Sequence, residues 1–382
     1  MTAPFAAAEV ARWREAFPVA RDLVYLNHAA IAPLPGAAAR AMADLARLVS
    51  RTGDRRWPER HDMTARVRQR AARLLGAPRP ETVAFVPSTS AGLSLVAEGI
   101  DWRAGDNVVG ARCEYPANVY PWMHLADRGV EYRMAEERAG RLDLEEVEAL
   151  VDGRTRVLAL SWVQYASGFR ADLERLGSFC REREVLFVVD AIQGLGALRL
   201  DVAAAGVDVA TGAAHKWLLG PEGIGLLYVA DRVVERLRPV LTGWRSVAGL
   251  FDWTRFDLTW NDGALRFEPG TLNVYGLAAL DKSLEMLLAV GPERIEARIQ
   301  ALAQRVADGL RERGFDVVSS RRDGEASGIV AATHPQHPAE AVYETLVERG
   351  VITAHRAGRL RISPHFYNTE EEIEQLLEGV EG

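Results

Sequence analysis

Lys216 is one of only two lysines in a chain of 382 residues that carries 44 arginines; the other is Lys282. Arginine stays protonated and cannot act as an amine nucleophile, whereas a desolvated lysine can form an imine with a carbonyl. Codon bias accounts for the arginines but not for where the two lysines stand. Lys282 lies in the helical run Ala278–Glu285, where a solvated face explains it. Lys216 lies within VLFVVDAIQGLGALRLDVAAAGVDVATGAAHKWLLGPEGIGLLYV, residues 185–229, between small residues and Leu218-Leu219-Gly220. An apolar surround of this kind disfavours the ammonium form. Asp190 closes the apolar run that opens the stretch, and ligands of open α/β sheets bind beyond the carboxyl ends of strands. A carboxylate with a neutral lysine amine suits pyridoxal phosphate: the lysine holds the cofactor as an imine, and the acid keeps the pyridine nitrogen protonated. A plain Asp–Lys ion pair at a strand end would use the same residue types, so the pair alone leaves both readings open.

The elements that must position these groups alternate. Thr82–Val86, Asn107–Val109, Val157–Leu160, Val185–Val189 and Ile224–Val229 read as short, continuously apolar strands, with amphipathic stretches such as Leu173–Glu182 between them. That pattern predicts βαβ units and a mostly parallel sheet buried on both faces. From about Asn273 it changes. A long helical region, Val274–Arg313, precedes strands at Phe315–Val318, Gly328–Ala332, Val351–Thr353 and Arg359–Ile362, with a helix at Pro338–Arg349 and a last one from Thr369. The expected organisation is a large α/β domain over residues 1–272 and a smaller α+β domain over 273–382.

Composition narrows the function. A net charge of −7 without a basic block gives no support for a nucleic-acid partner or an anionic membrane surface. Two distant cysteines, Cys113 and Cys180, form neither a disulfide framework nor a metal cluster, so no metal site is expected. No apolar run reaches membrane-spanning length and the N-terminal residues lack a secretory pattern, which points to a cytoplasmic protein. Gly194-Leu195-Gly196 follows a strand, but position 199 is Arg, so the dinucleotide fingerprint fails.

Asp190-Ala191-Ile192-Gln193, then His215-Lys216, then Gly220-Pro221-Glu222-Gly223-Ile224-Gly225 resembles, in order, the class V aminotransferase family of fold-type I pyridoxal phosphate enzymes, which includes cysteine desulfurases, kynureninases and isopenicillin N epimerase-like proteins. The resemblance runs from Tyr25-Leu26-Asn27-His28 to Tyr367-Asn368-Thr369. It implies a large domain with a mostly parallel seven-stranded sheet. It also implies roles: Lys216 forms the internal aldimine and shuttles protons, assisted by His215 near the cofactor phosphate; Asp190 pairs with the pyridine nitrogen; Gln193 reaches the ring hydroxyl. Thr89 and Ser90, in Val86-Pro87-Ser88-Thr89-Ser90, would hold the phosphate, although hydroxyls there also suit plain helix capping. Tyr115 is the ring-stacking candidate and Asn118 a weaker polar one. Arg361 matches the arginine that clamps the substrate carboxylate, with Arg359, two residues away on the same strand face, as its rival. Trp244 and Thr271 resemble contacts to the neighbouring subunit's phosphate, implying a homodimer with shared sites; Phe251, Trp253, Phe256 and Trp260 could line that interface.

Departures matter as much. The loop before Arg361, Thr353–Leu360, is short and lacks the nucleophilic cysteine of desulfurases. Neither Cys113 nor Cys180 (in a predicted surface helix) replaces it. Ala213 stands where many desulfurases have Ser, leaving Thr211 or a partner residue to supply the phosphate contact. Asn27-His28 replaces an Asp-Ser often seen there and would put a His near the substrate. The expected function is a lyase (C–S or other β-elimination) or an epimerase-like enzyme working on an amino acid through a Cα carbanion. An aminotransferase proper is the alternative, and a non-catalytic binding protein on the same fold the alternative from another class.

Overall fold

A computed structural model describes residues 5–249, 254 and 256–380. Seven strands form the main sheet: β1 (Val83–Val86), β2 (Asn107–Ala111), β3 (Glu131–Ala135), β4 (Thr155–Ser161), β5 (Leu186–Asp190), β6 (Val209–Ala213) and β7 (Gly225–Val229). Their order is β1-β7-β6-β5-β4-β2-β3, with β7 antiparallel to both neighbours and all other pairs parallel. Valines and leucines of β1, β2, β4, β5 and β7 are almost fully buried, as a sheet covered on both faces requires.

Two strands escape the sequence pattern. β3 (EYRMA) is a half-exposed edge strand without a continuous apolar run. β6 (VATGA) is built of small residues because its neighbours approach closely: a Cβ on Gly212 would lie 3.2 Å from the Ile192 backbone. The expected single helical region after Asn273 is two helices. Gly291, at φ +96°, and Pro292 at a first-turn position break it.

The longer helices are α1 (Gly36–Thr52), α2 (Trp57–Leu75), α3 (Thr89–Gly99), α4 (Leu173–Glu182), α5 (Val274–Val290), α6 (Pro292–Glu312), α7 (Ala339–Glu348) and α8 (Glu370–Gly379), among shorter helices and turns. Ser88 caps α3 by accepting from the Ala91 N–H (3.1 Å), and Thr369 with Glu372 forms a capping box on α8. α5 packs on α1 and α2, and its leucines join the core of the main sheet. A second core begins within α6 at Leu302 and takes in Val330, Leu346, Leu360, Ile362 and Leu376. It covers a four-stranded antiparallel sheet, β8 (Asp316–Val317), β9 (Val330–Thr333), β10 (Ala354–Arg356) and β11 (Arg359–Ile362), in the order β8-β9-β11-β10. Val351–Ile352 leaves that sheet and pairs in parallel with Val24–Tyr25, which ties the start of the chain to the second core.

Candidate active site

The carboxyl ends of β5 and β6 lie side by side, with Asp190 opposite Thr211 in register. Five residues past Thr211 the chain delivers Lys216 into a cavity of about 330 Å³ that Asp190 also lines. Lys216 is only 8% exposed. Burial pulls its ammonium well below the ordinary lysine range, and Arg361 and Arg356 push the same way against the attraction of Asp190. Asp190 is wholly buried, so burial raises its carboxyl above the usual range, with the Glu114 charge adding to it and the Ile192 N–H (3.0 Å) opposing. A cation against Asp190 would reverse that penalty, and a protonated ring nitrogen is such a cation.

Gln193 is oriented by two bonds. Its Oε1 accepts from Trp217 Nε1 (2.9 Å) and its Nε2 donates to the Ala29 carbonyl (3.0 Å). Gln193 lines the cavity, and its amide nitrogen keeps a second hydrogen to give. At the opposite end, Thr89 Oγ1 accepts from the Ala213 N–H (3.0 Å), which leaves its own proton to donate, and Ser90 is exposed beside it at the start of α3. Hydroxyls at a helix N-terminus fit a phosphate dianion. Thr211 does not take the place of the missing serine: its hydroxyl donates to the Leu226 carbonyl inside the sheet (2.9 Å). His215 lines the cavity half-buried, and burial and Lys216 hold it below the ordinary histidine value.

Tyr115 is 48% exposed, and its ring centroid lies 5.5 Å from Lys216 Nζ. Tyr165 braces it edge-on at 5.2 Å. Glu114 anchors the same loop from below. One carboxylate oxygen accepts from the Ser161 N–H (2.8 Å) and Gln164 (2.7 Å), the other from Asn118 (3.1 Å) and the Ser161 hydroxyl. Asn118 is thus a buried brace, also accepting from Trp122, and does not line the cavity.

Arg361 is 1% exposed and lines the cavity. One terminal nitrogen donates to the Tyr165 carbonyl (2.8 Å), while its buried Nε has no partner among the described residues. An orphaned guanidinium donor of this kind calls for an anion, and a carboxylate matches its fork. The rival, Arg359, is turned away to Glu137 (2.9 Å) and does not line the cavity.

The other expected substrate contacts are placed elsewhere. His28 is fully buried, with Nδ1 2.9 Å from the Ser363 carbonyl and Nε2 2.8 Å from the Tyr367 hydroxyl, so both ring nitrogens are spent on packing. Asn27 forms a bridge with Ser363 and also stays outside the cavity. Trp244 and Thr271 do not line it within this chain; Trp244 lies beside Gly270. Phe251 and Trp253 fall outside the described residues. Cys180 faces inward from α4 rather than to the surface, and burial pushes the thiols of both Cys113 and Cys180 upward, which makes them inert. Tyr165 and Ile31 line the cavity unread in the sequence, and Arg356 was read there only as part of the short loop that lacks a cysteine. Tyr165 follows the carboxyl end of β4, a position that could have marked it.

The residues present therefore fit pyridoxal phosphate, with an amine, a ring-nitrogen acid, an amide donor, a stacking ring and a hydroxyl-rich helix terminus around one cavity. The comparisons with known proteins agree. The family model described as aminotransferase class-V matches residues 24–376. A probable cysteine desulfurase from Methanothermobacter thermautotrophicus is 30% identical over 96% of each chain. Among solved structures, a cysteine desulfurase from Thermococcus onnurineus matches with a TM-score of 0.87 at 24% identity, covering 100% of this chain and 98% of the other. The cystine C–S lyase C-DES, solved with its product cysteine persulfide, matches at 0.89 and 24% over 96% and 99%. The chain belongs to the aminotransferase class-V family and is a pyridoxal phosphate-dependent enzyme.

Proposed function

We propose that this enzyme is a lyase that cleaves the bond to a β-substituent of an α-amino acid. The observation that carries the substrate class is Arg361, a buried guanidinium with an unpartnered nitrogen in the same cavity as Lys216. The names of the relatives, a desulfurase and a C–S lyase, support the bond cleaved. Pyridoxal phosphate, when bound, supplies the electron sink that makes a Cα–H bond acidic. Arg361 clamps the α-carboxylate and so fixes which Cα bond faces the ring. Lys216, whose burial weakens its hold on a proton, takes the Cα proton at Nζ and returns one later in the cycle. Asp190 keeps the ring nitrogen protonated, Gln193 donates to the ring oxygen, and Tyr115 covers one face and excludes water. Thr89, Ser90 and His215 hold the phosphate end.

No cysteine is among the residues lining the cavity, so the leaving group departs as such rather than onto a protein thiol. In this reading residues 273–382 bring the carboxylate clamp to the cofactor groups of the larger part. A cytoplasmic homodimer belongs to the same proposal. Leu241, Trp244, Phe256 and Leu258 are exposed apolar side chains, and Trp244 lies beside Gly270; burial of these side chains against a second copy would bring Trp244 and Thr271 to the partner's phosphate end.

The test is a substrate panel with the holoenzyme, including L-cysteine, L-cystine and L-serine. Keto acid, ammonia and the free leaving group in equal amounts are expected. Keto acid that forms only with a keto-acid acceptor present would make the enzyme an aminotransferase. Cα deuterium exchange with racemisation and no keto acid would make it an epimerase.

A further inference from the structure

β10 and β11 form a hairpin closed by Ala357 and Gly358, both with positive φ (50° and 73°), the pair that a tight two-residue turn requires. That turn sets the register: Ala354 stands opposite Arg361, and Arg356 opposite Arg359. Directly opposed residues share a face, and so do residues two apart on one strand. Arg356, Arg359 and Arg361 therefore project from one face of the hairpin, with the small Ala354 between them. The other face carries Leu360 and Ile362 into the second core.

Three guanidiniums on one face meet one protein carboxylate. Glu137 neutralises Arg359 (2.9 Å). Arg361 has the Tyr165 carbonyl, and among the described residues Arg356 has only the carbonyl of its neighbour His355 (2.7 Å). Among the described residues neither Arg356 nor Arg361 forms an ion pair, and both line the cavity of Lys216. The charges lining that cavity are Lys216, Arg356 and Arg361 against Asp190 alone, and Asp190 serves the ring nitrogen. Arg356 acts on both other cations, disfavouring their charged forms. An α-carboxylate satisfies Arg361 and leaves Arg356 without an anion at the exposed mouth. The phosphate end, at Thr89 and Ser90, lies on another element of the cavity wall.

We infer that the substrate carries a second acidic group on its side chain, and that Arg356 on the β10–β11 hairpin binds it. The substrate class is then an α-amino acid with a carboxylate or oxidised-sulfur acid side chain. This rests on the reading of the site as one for amino acids. Arg356 is a specificity residue, and the rigid hairpin holds it a fixed distance from the carboxylate clamp.

The experiment compares wild-type holoenzyme with Arg356→Gln and Arg356→Lys. The kcat/KM ratio for L-cysteine sulfinate over L-cysteine is measured together with cofactor absorbance and the binding of succinate against propionate. The acidic-over-neutral ratio is expected to fall roughly tenfold or more in Arg356→Gln, mostly through KM, with partial recovery in Arg356→Lys. Succinate should bind more tightly than propionate to the wild type and lose that advantage in Arg356→Gln. Equal losses for acidic and neutral substrates, no change in either, or loss of bound cofactor would each overturn the inference; the last would assign Arg356 to the phosphate. If no amino acid reacts but the succinate preference still depends on Arg356, the lyase reading fails while the second anion site stands.

Discussion

At the scale of single residues, the site depends on charges that burial has made expensive and that ligands relieve. Lys216 and Asp190 are each driven toward neutrality by the same burial, which their mutual attraction only partly offsets. Lys216→Ala should therefore abolish borohydride-fixed pyridoxal phosphate, as peptide mapping reads it. Label found at Lys282 instead would refute the assignment. Because the native ammonium is held low, more of it is free amine at a given pH. The rate at which apoprotein captures pyridoxal phosphate should rise with pH and level off below the ordinary lysine range, which stopped-flow absorbance follows. Arg361→Gln removes a charge-assisted fork to the carboxylate, with about 1.5–3 kcal/mol in such bonds. KM should rise on the order of 10- to 100-fold with the cofactor band intact.

At the scale of elements, the small residues of β6 and α3 allow the helix terminus to approach the sheet. A Cβ on Gly92 would collide with Thr211 Oγ1, which is itself bonded to the Leu226 carbonyl. Gly92→Ala should displace the start of α3, cost about 1–3 kcal/mol of stability from overpacking, and weaken cofactor affinity. Gly92→Ala with Thr211→Ala opens that space and should recover part of both losses, read by urea unfolding and cofactor titration. Failure of the second change to restore any stability would mean that Thr211 is not the obstacle. Glu114 plays the matching part on the other side of the ring. Its four accepted hydrogen bonds join the Tyr115 loop to Ser161, which stands opposite Asp190 in register.

Across the whole molecule, a buried histidine pair fastens the second core to the first. His365 Nε2 lies 3.1 Å from the Trp217 carbonyl, one residue past Lys216, and its ring is 5.1 Å from that of His28. Burial lowers His365 from 6.5 to about 4, and lowers His28 as well. The unfolded imidazole takes up a proton near 6.5 and the native one only near 4, so unfolding takes up a proton between those values. Stability contributed by neutral His365 is then full above 6.5 and falls as pH drops toward 4. By pH 5 the loss is about 2 kcal/mol from His365 alone. Urea midpoints at pH 7.5 and 5 measure it, and His365→Gln should flatten the difference. An unchanged slope in that variant would place the acid sensitivity elsewhere.

The sequence by itself determined the cofactor chemistry and the class of fold. Continuous apolar strands require a sheet covered on both faces, and scarcity left Lys216 as the amine that arginine cannot replace. The ordered run from Asp190 to Gly225 carried the family. Five of the seven sheet strands were legible because they are nearly continuous apolar runs, whereas β3 and β6 were not, since an edge strand and a close-packed strand of small residues lack that signal. Only the tertiary structure decided among residues of one type. Arg359 and Arg361 share a strand face, yet Glu137, 222 residues away in sequence, takes one and leaves the other for the cavity. His28 looked available until Ser363 and Tyr367, more than 330 residues on, occupied both its nitrogens. Such choices depend on which distant group arrives with a hydrogen bond or a charge, and local periodicity carries no record of that.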